Sequence, residues 1–587
     1  MYKAIESIST GKNTTKLKNN FHSVERHPGD ARETFFLPES NSMLYTADHF
    51  SGELLLTIDC RRIYDFDDKG RIYKTEISKD YAVIEYTKHS DDTLKEKSYT
   101  VYTAIKWKGI EKKDITEVSK WKKKHYETDA KRNSTPFDLY IYDALKISCN
   151  EKSGIHGDKH KVMLFFGFSE SKEEALKRAE DLYTHYVKET QKMMLRKSHH
   201  YSTKLSMKKI HNQNIQDKEL QAAYACSLNS LDWLNNSAAG INGYYAGLPW
   251  FFQFWSRDEA ISLGALIREH RFEEAKKILE RLLSKIDSKG RIPNRFPISE
   301  LSSADAAGWA FKRLMELIEQ LENEKKLDKY FTKAELHYFL SRTELSIKNT
   351  LNTCENEELI HNNALETWMD TSFQNDTREG KRIEIQCLFL STLSTAVYLS
   401  GLLGEKKREE HYFNLEKEFS ERVKAMFFDE KKKILLDGAE DSTQRPNVFI
   451  SYYLYPNLLP KEEWKNVFSN ALDKLWLEWG GLSTIEKTSP LFCPDYTGQD
   501  NKSYHRGDSW FFVNNIAAIS MFRLDSKKFL EQISSIIKAS ADEILFSGAI
   551  SHSSELSSAS SMKSEGCAVQ AWSASTFTEL MHEVFEK

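Results

Sequence analysis

The sequence predicts an α+β multidomain chain, an N-terminal antiparallel β-sandwich followed by a C-terminal (α/α)6 toroid barrel. Three observations carry this. Short β-branched and aromatic runs recur up to about residue 170, and the apolar period then changes from two to about 3.6 residues. Long loops rich in Gly, Pro, Trp, Asp and Asn separate the helical segments that follow. At 587 residues the chain is too long for one ordinary core, and the natural divisions fall at 1–170, 171–215 and 216–587.

The strand runs are Glu53–Asp59, Arg71–Ile77, Tyr81–Tyr86, Tyr99–Ile105, Phe137–Tyr142 and Val162–Gly167, with Gly, Asp and Lys clusters between them. That is the pattern of a sandwich. From Ser171 to about Arg196, Ala175, Leu176, Ala179, Leu182, Tyr183, Tyr186 and Val187 fall on one helical face. A long amphipathic helix joining two domains is expected there.

Beyond about residue 215 the apolar period is helical, with twelve candidate helices starting near 217, 256, 272, 303, 333, 382, 407, 446, 460, 508, 526 and 567. Six helical hairpins closed into a toroid account for them. An open solenoid would show a repeat of roughly 30–50 residues, and none is visible. The segments 236–255, 288–302, 353–381, 477–507 and 544–566 are then long loops that could gather at one mouth. Loops of that length in a compact domain are more often functional than accidental.

Bulk properties exclude several classes. With 40% hydrophobic and 29% charged residues the chain is globular, and a net charge of −4 gives no field to recruit nucleic acid or an anionic membrane. The seven cysteines are scattered without metal-ligand spacing, so reduced thiols in a cytoplasmic protein are expected. The first residues, Met1-Tyr-Lys-Ala-Ile-Glu-Ser7, carry no apolar signal core, and no apolar run approaches the roughly 20 residues that span a bilayer. No cofactor and no metal is expected, although a calcium site built from loop oxygens stays open, as does the oligomeric state.

Gly247-Leu-Pro-Trp-Phe-Phe-Gln-Phe-Trp-Ser-Arg-Asp-Glu259 packs five aromatics and an Arg-Asp pair ahead of an apolar helix. Aromatic faces bind sugar C–H surfaces and planar ionic groups bind sugar hydroxyls, so this loop suits a carbohydrate pocket; a buried helix entry with a structural ion pair is the alternative. Glycoside hydrolysis needs two carboxyls on loops at one mouth. Asp370, beside Trp368 in Asn362-Asn-Ala-Leu-Glu-Thr-Trp-Met-Asp-Thr371, is one candidate. An aromatic setting would raise its pKa and keep it an acid. Glu555, among small hydroxyl residues in Gly548-Ala-Ile-Ser-His-Ser-Ser-Glu-Leu-Ser-Ser558, is the other. Glu565 competes with it, though its place before the last helix suggests a first-turn dipole role.

Eight segments in order make the helical half, about residues 217–585, resemble the glucosidase domain of glycogen debranching enzymes, the amylo-α-1,6-glucosidase type. Pro249-Trp-Phe-Phe-Gln-Phe-Trp-Ser-Arg-Asp258 is similar to that family's Pro-Trp-Phe…Trp-Gly-Arg-Asp. Gly290-Arg-Ile-Pro-Asn294, Ser303-Ala-Asp-Ala-Ala-Gly-Trp309, and Thr367-Trp-Met-Asp370 with Gly380-Lys-Arg-Ile-Glu-Ile385 continue it. Arg445-Pro-Asn447, Gly481-Leu-Ser-Thr484, Tyr504-His-Arg-Gly507 and Gln570-Ala-Trp-Ser573 complete it.

The resemblance implies an inverting exo-hydrolase releasing glucose from α-1,6-linked branch stubs of an α-glucan, with Asp370 as general acid and Glu555 as general base. Inversion calls for carboxyls roughly 6.5–9.5 Å apart, leaving room for water. It also implies a sugar subsite from Trp250, Trp255, Arg257, Asp258, Asp305, Trp309 and Trp368, with Arg445, His505 and Trp572 as further candidates. The family's Gly and Thr are Ser256 and Glu259 here, and its Tyr-His-Gln-Gly-x-x-Trp becomes Tyr504-His-Arg-Gly-Asp-Ser-Trp510. Arg506 and Asp508 would then add charge near the mouth. A glucoamylase-like α-1,4 enzyme, a trehalase and an inactive glucan-binding protein are the alternatives.

Overall fold

The computed structural model describes residues 2–38, 41–89, 98–149, 154–155, 158–159, 161–202, 217–238, 241–299, 301–354 and 359–585. Two compact units divide it, Met1–Ser202 and Thr203–Lys587.

In the first unit two antiparallel sheets face each other. One has four strands in the order Ile5–Ser9, Gly52–Ile58, Asp138–Cys149, Ile115–His125. The other has eight, running Thr14–Asn19, Val24–Pro28, Arg32–Phe36, Ser42–Asp48, Val162–Ser169, Tyr99–Lys108, Tyr81–Lys88, Arg71–Ile77. Period-two alternation assigns the faces. Leu54, Leu56 and Ile58 of the small sheet share a core with Tyr45, Ile84, Leu164 and Phe166 of the large one. On the opposite face of the large sheet, Leu44, Met163 and Phe165 pack with Leu182 of the Lys172–Ser202 helix. Val162–Gly167 is apolar without alternation because both of its faces are covered. The long helix thus lies on the eight-stranded sheet within this unit.

The second unit is the (α/α)6 toroid. Outer and inner helices alternate along the chain. The outer ones are Asp217–Leu234, Phe272–Leu283, Lys333–Asn352, Lys406–Phe427, Lys461–Leu475 and Leu530–Phe546. The inner ones are Ser256–Arg268, Ala306–Asn323, Ile383–Leu402, Asn447–Leu454, Phe511–Asp525 and Ala571–Phe585. Each inner helix packs on the inner helices before and after it, and Ala571–Phe585 packs on both Phe511–Asp525 and Ser256–Arg268, so the ring closes. Patterning follows position: Lys406–Phe427 buries only Phe419, Val423 and Phe427, whereas Phe511–Asp525 is buried nearly all round. Ile383–Leu402 is long and apolar enough to cross a membrane, contrary to the sequence expectation that no run approaches that length; its inner position explains the composition.

Two features were not expected. A short helix, Leu327–Tyr330, separates two of the hairpins. Two-residue ladders also pin the loops: Gly247–Leu248 pairs with Val569–Gln570, Phe254–Trp255 with Arg295–Phe296, and Ser509–Trp510 with Leu556–Ser557. Two residues are too few to show a strand period. Three of these ladder strands run straight into inner helices at Ser256, Phe511 and Ala571, which aligns those helix starts at one mouth.

Candidate active site

The side chains that meet at this mouth come from first helical turns and the loops feeding them. Arg257 and Asp258 open the Ser256–Arg268 helix, and Asp305 is the N-cap of the Ala306–Asn323 helix. Arg257 Nε lies 2.7 Å from Asp305 Oδ2 and Nη1 lies 3.2 Å from Asp370 Oδ2. Ser303 Oγ donates to Asp305 Oδ1 at 2.6 Å. Asp370 retains 35% of its side-chain surface and Asp305 1%, while Asp258 and Glu555 are buried residues. It is therefore the acidic group of the four most open to an arriving molecule.

The enclosed setting of Asp370 raises its pKa, with Arg257 working against the rise. Asp258 is pushed up to about 8, chiefly by burial; Arg257 opposes this, and the negative charges of Glu555 and Asp370 add to it. Its Oδ1 accepts from Gln570 Nε2 at 3.1 Å. Asp258 thus feels both candidate catalytic carboxyls, as does the phenol of Tyr504. Geometry agrees: Tyr504 bonds Glu555 while the adjacent His505 bonds Thr371, next to Asp370, so the two carboxyls lie in neighbouring segments of one mouth.

Glu555 is held from two sides. Tyr504 Oη donates to Oε1 and the Cys567 amide donates to Oε2 at 2.8 Å. Donors on both oxygens stabilise a carboxylate, the form a base requires. Gly566, at φ +67°, makes the approach possible: a Cβ there would stand 2.3 Å from Glu555 Oε2. Glu565 lies well before the Ala571–Phe585 helix and pairs with Leu556 in an isolated bridge, so the expected first-turn role does not hold.

An aromatic wall lines the site. The Trp368 ring meets His505 at 5.5 Å, Trp510 at 5.6 Å and Phe512 at 5.2 Å, edge to face. Trp572 stacks on Phe512 at 4.2 Å and meets Trp510 at 5.6 Å. Trp368 Nε1 donates to Asn447 Oδ1 at 2.7 Å, while Trp572 Nε1, His505 Nε2 and Gln570 Oε1 are buried without a hydrogen-bond partner in the protein. Burial and the surrounding Arg506, Arg445, Arg378 and Arg257 hold the His505 pKa well below its usual value, so its ring is neutral.

Not every expected residue joins this group. Trp309 sits inside the ring, 6.0 Å from Tyr453 and beside Arg313. Trp250 is half-buried on the loop ahead of the Ser256 helix; Trp255 packs edge-on to Phe251 and under the Arg295 guanidinium. Arg445 donates to Asp376 Oδ2 at 2.9 Å and to the His505 carbonyl at 3.0 Å. Arg506 and Asp508 are 1% and 0% exposed, so they brace loops and add no charge to the mouth surface. Glu259 is buried against Arg281 at 2.7 Å. Tyr504, Trp510, Gly566 and Gln570 do not stand out in the sequence as site residues, although Tyr504, Trp510 and Gln570 lie inside the motifs quoted above; no spacing rule marks Tyr504 and Gln570 as partners of Glu555 and Asp258. Among the described residues no cluster of His, Cys, Asp and Glu has the geometry of a metal site.

A closed ring of alternating helices with acidic and aromatic residues gathered at one mouth defines a glycoside hydrolase of the six-hairpin type. Residues 228–579 match the model of the amylo-alpha-1,6-glucosidase family, and the chain belongs to that family. A bacterial glucoamylase solved in complex with acarbose overlays with a TM-score of 0.62 at 12% identity, over 99% of this chain and 88% of that one. An uncharacterized conserved protein from Thermus thermophilus and a glycosidase in complex with glucose reach TM-scores of 0.47 and 0.45, both at 12% identity. They cover 61% and 63% of this chain and 99% of their own. No curated protein sequence matches the chain.

Proposed function

We propose that this protein is an inverting exo-glucosidase that releases glucose from α-1,6-linked branch stubs of an α-glucan. Asp370 protonates the glycosidic oxygen as the bond to the anomeric carbon breaks. Glu555 takes a proton from the water that attacks the opposite face. The observation that carries the reading is the pairing of an open carboxyl of raised pKa with a carboxylate fixed by two donors, both acting on Asp258. Unequal environments for two carboxyls are what acid/base division of labour requires. In this reading neither a metal nor a cofactor takes part. The cysteines stand as thiols in the structure, which supports a cytoplasmic setting.

A glucoamylase-like α-1,4 specificity is the second reading, favoured by the extent of the overlay on the bacterial glucoamylase. The deciding experiment measures glucose release from a limit dextrin with single α-1,6 glucose stubs, beside isomaltose, maltose and trehalose, with NMR of the nascent anomer. β-Glucose from the stubs supports the proposal. Release from maltose alone moves the specificity to α-1,4. α-Glucose as the first product overturns inversion, and no release from any substrate favours a glucan-binding protein.

A further inference from the structure

The loop that carries Asp370 and the segment that reaches Glu555 are tied together by one side chain. Arg506 is 1% exposed, and its five N–H donors each find an acceptor. Nε donates to Asp376 Oδ2 at 2.8 Å, and Nη2 donates to the Asp376 carbonyl at 2.6 Å and the Thr371 carbonyl at 2.8 Å. Nη1 donates to Thr371 Oγ1 at 3.3 Å and to the Asn501 carbonyl at 3.1 Å. Four of the five acceptors belong to the segment immediately after Asp370.

On its other side Arg506 continues a run of residues that ends on the base. His505 Nδ1 is 2.8 Å from Thr371 Oγ1, and Tyr504 Oη donates to Glu555. A path of direct contacts therefore leads from Glu555 through Tyr504, His505 and Arg506 to the peptide next to Asp370. Arg445 shares the Asp376 carboxylate at 2.9 Å and binds the His505 carbonyl at 3.0 Å, closing a second strap across the same gap. A glutamine at this position would offer two amide protons and could not reproduce a five-donor fork.

We propose that Arg506 is a positioning residue: it clasps the loop bearing Asp370 to the segment bearing Tyr504 and so sets where the acid stands relative to the base. The inference rests on the assignment of Asp370 and Glu555 given above. It concerns geometry at the reacting bond, where a shift of about 1 Å changes rate on the order of 100-fold. A brace that only held the fold would lower thermal stability and the active fraction, and would leave the ratio of rates on different leaving groups untouched.

The test compares a glucoside that needs a general acid with α-glucosyl fluoride, whose fluoride leaves with little protonation. Asp370→Asn, the reference variant, should be nearly inactive on the glucoside and far less impaired on the fluoride. Arg506→Gln should show the same signature more weakly: kcat on the glucoside down about 10–100-fold, with KM and the fluoride rate changed by no more than about threefold. If Asp370→Asn lacks the signature, the acid assignment itself fails. If Asp370→Asn shows it while Arg506→Gln loses both rates equally, or neither, the positioning role is overturned. Should Arg506→Gln not fold, Asp376→Asn, which keeps the loop but removes the shared charge, is judged by the same ratio.

Discussion

Arg257 Nη1 stands 3.2 Å from Asp370 Oδ2 while its Nε is fixed on Asp305 at 2.7 Å, so one guanidinium serves a fully buried carboxylate and a partly open one. A cation beside a group that must hold a proton opposes the task, and burial outweighs it at Asp370. Arg257→Gln should move the alkaline limb of the kcat profile to higher pH, because losing the positive charge raises the acid's pKa further. It should also cost about 3–5 kcal/mol of stability by leaving Asp305 buried and unpaired. A pH–rate series with a denaturant melt checks both; an alkaline limb that stays in place would remove Asp370 as the group it reports.

Asp258 makes a stability prediction with a defined sign. Folded, it holds its proton up to about pH 8; unfolded, it ionises near about 3.9. Between those values the folded state binds more protons, so the group's stabilising contribution is complete at low pH and lost as pH rises. Asp258→Asn abolishes the titration. Its Tm measured against wild type should climb between about pH 4 and about pH 8, by the equivalent of about 5 kcal/mol if the full shift is realised. A constant difference across that range would contradict the raised pKa.

Gly566 and Glu555 compete for one space. Gly566→Ala brings a Cβ to 2.3 Å from Glu555 Oε2 at φ +67°, a conformation that alanine resists. The expected outcome is a loss of about 1–2 kcal/mol in stability and a fall in kcat of roughly 100-fold as the base is pushed aside. Single-turnover kinetics on refolded protein separates the two effects.

Tyr504→Phe deletes one of the two donors on Glu555. With one of its two donors gone, Glu555 is held less firmly, and kcat should fall about 10-fold. An unchanged rate would mean that the phenol does not act through Glu555.

The architecture was legible from residue order because period is local information. Leu54, Leu56 and Ile58 alternate, Phe419, Val423 and Phe427 recur every four residues, and both patterns survive without any knowledge of partners. Asp370 lies inside a quoted motif and Glu555 was reached through the resemblance, with only a Glu-Leu pair to mark it; the surroundings of neither were legible. Gln570 reaches Asp258 across 312 positions, and Arg506 reaches Asp376 across 130. No periodicity encodes such pairs. The same holds for Trp309, whose motif pointed to the mouth while its ring turned toward Tyr453. The departure from the Tyr-His-Gln-Gly motif set Arg506 and Asp508 as charges near the mouth; only the closing of the loops over them shows both side chains buried, with the Arg506 donors consumed inside.

The Ala571–Phe585 helix completes the ring by packing on the Ser256–Arg268 helix, some three hundred residues earlier in the chain. During synthesis, therefore, the aromatic wall and the Glu555 cradle cannot assemble until the ribosome has released almost all of the second unit. Until then the apolar inner helices wait without their neighbour, and contacts this far apart in sequence form late. Activity would then arrive abruptly with the final hairpin, and a ribosome that stalled earlier would leave no partly working enzyme behind.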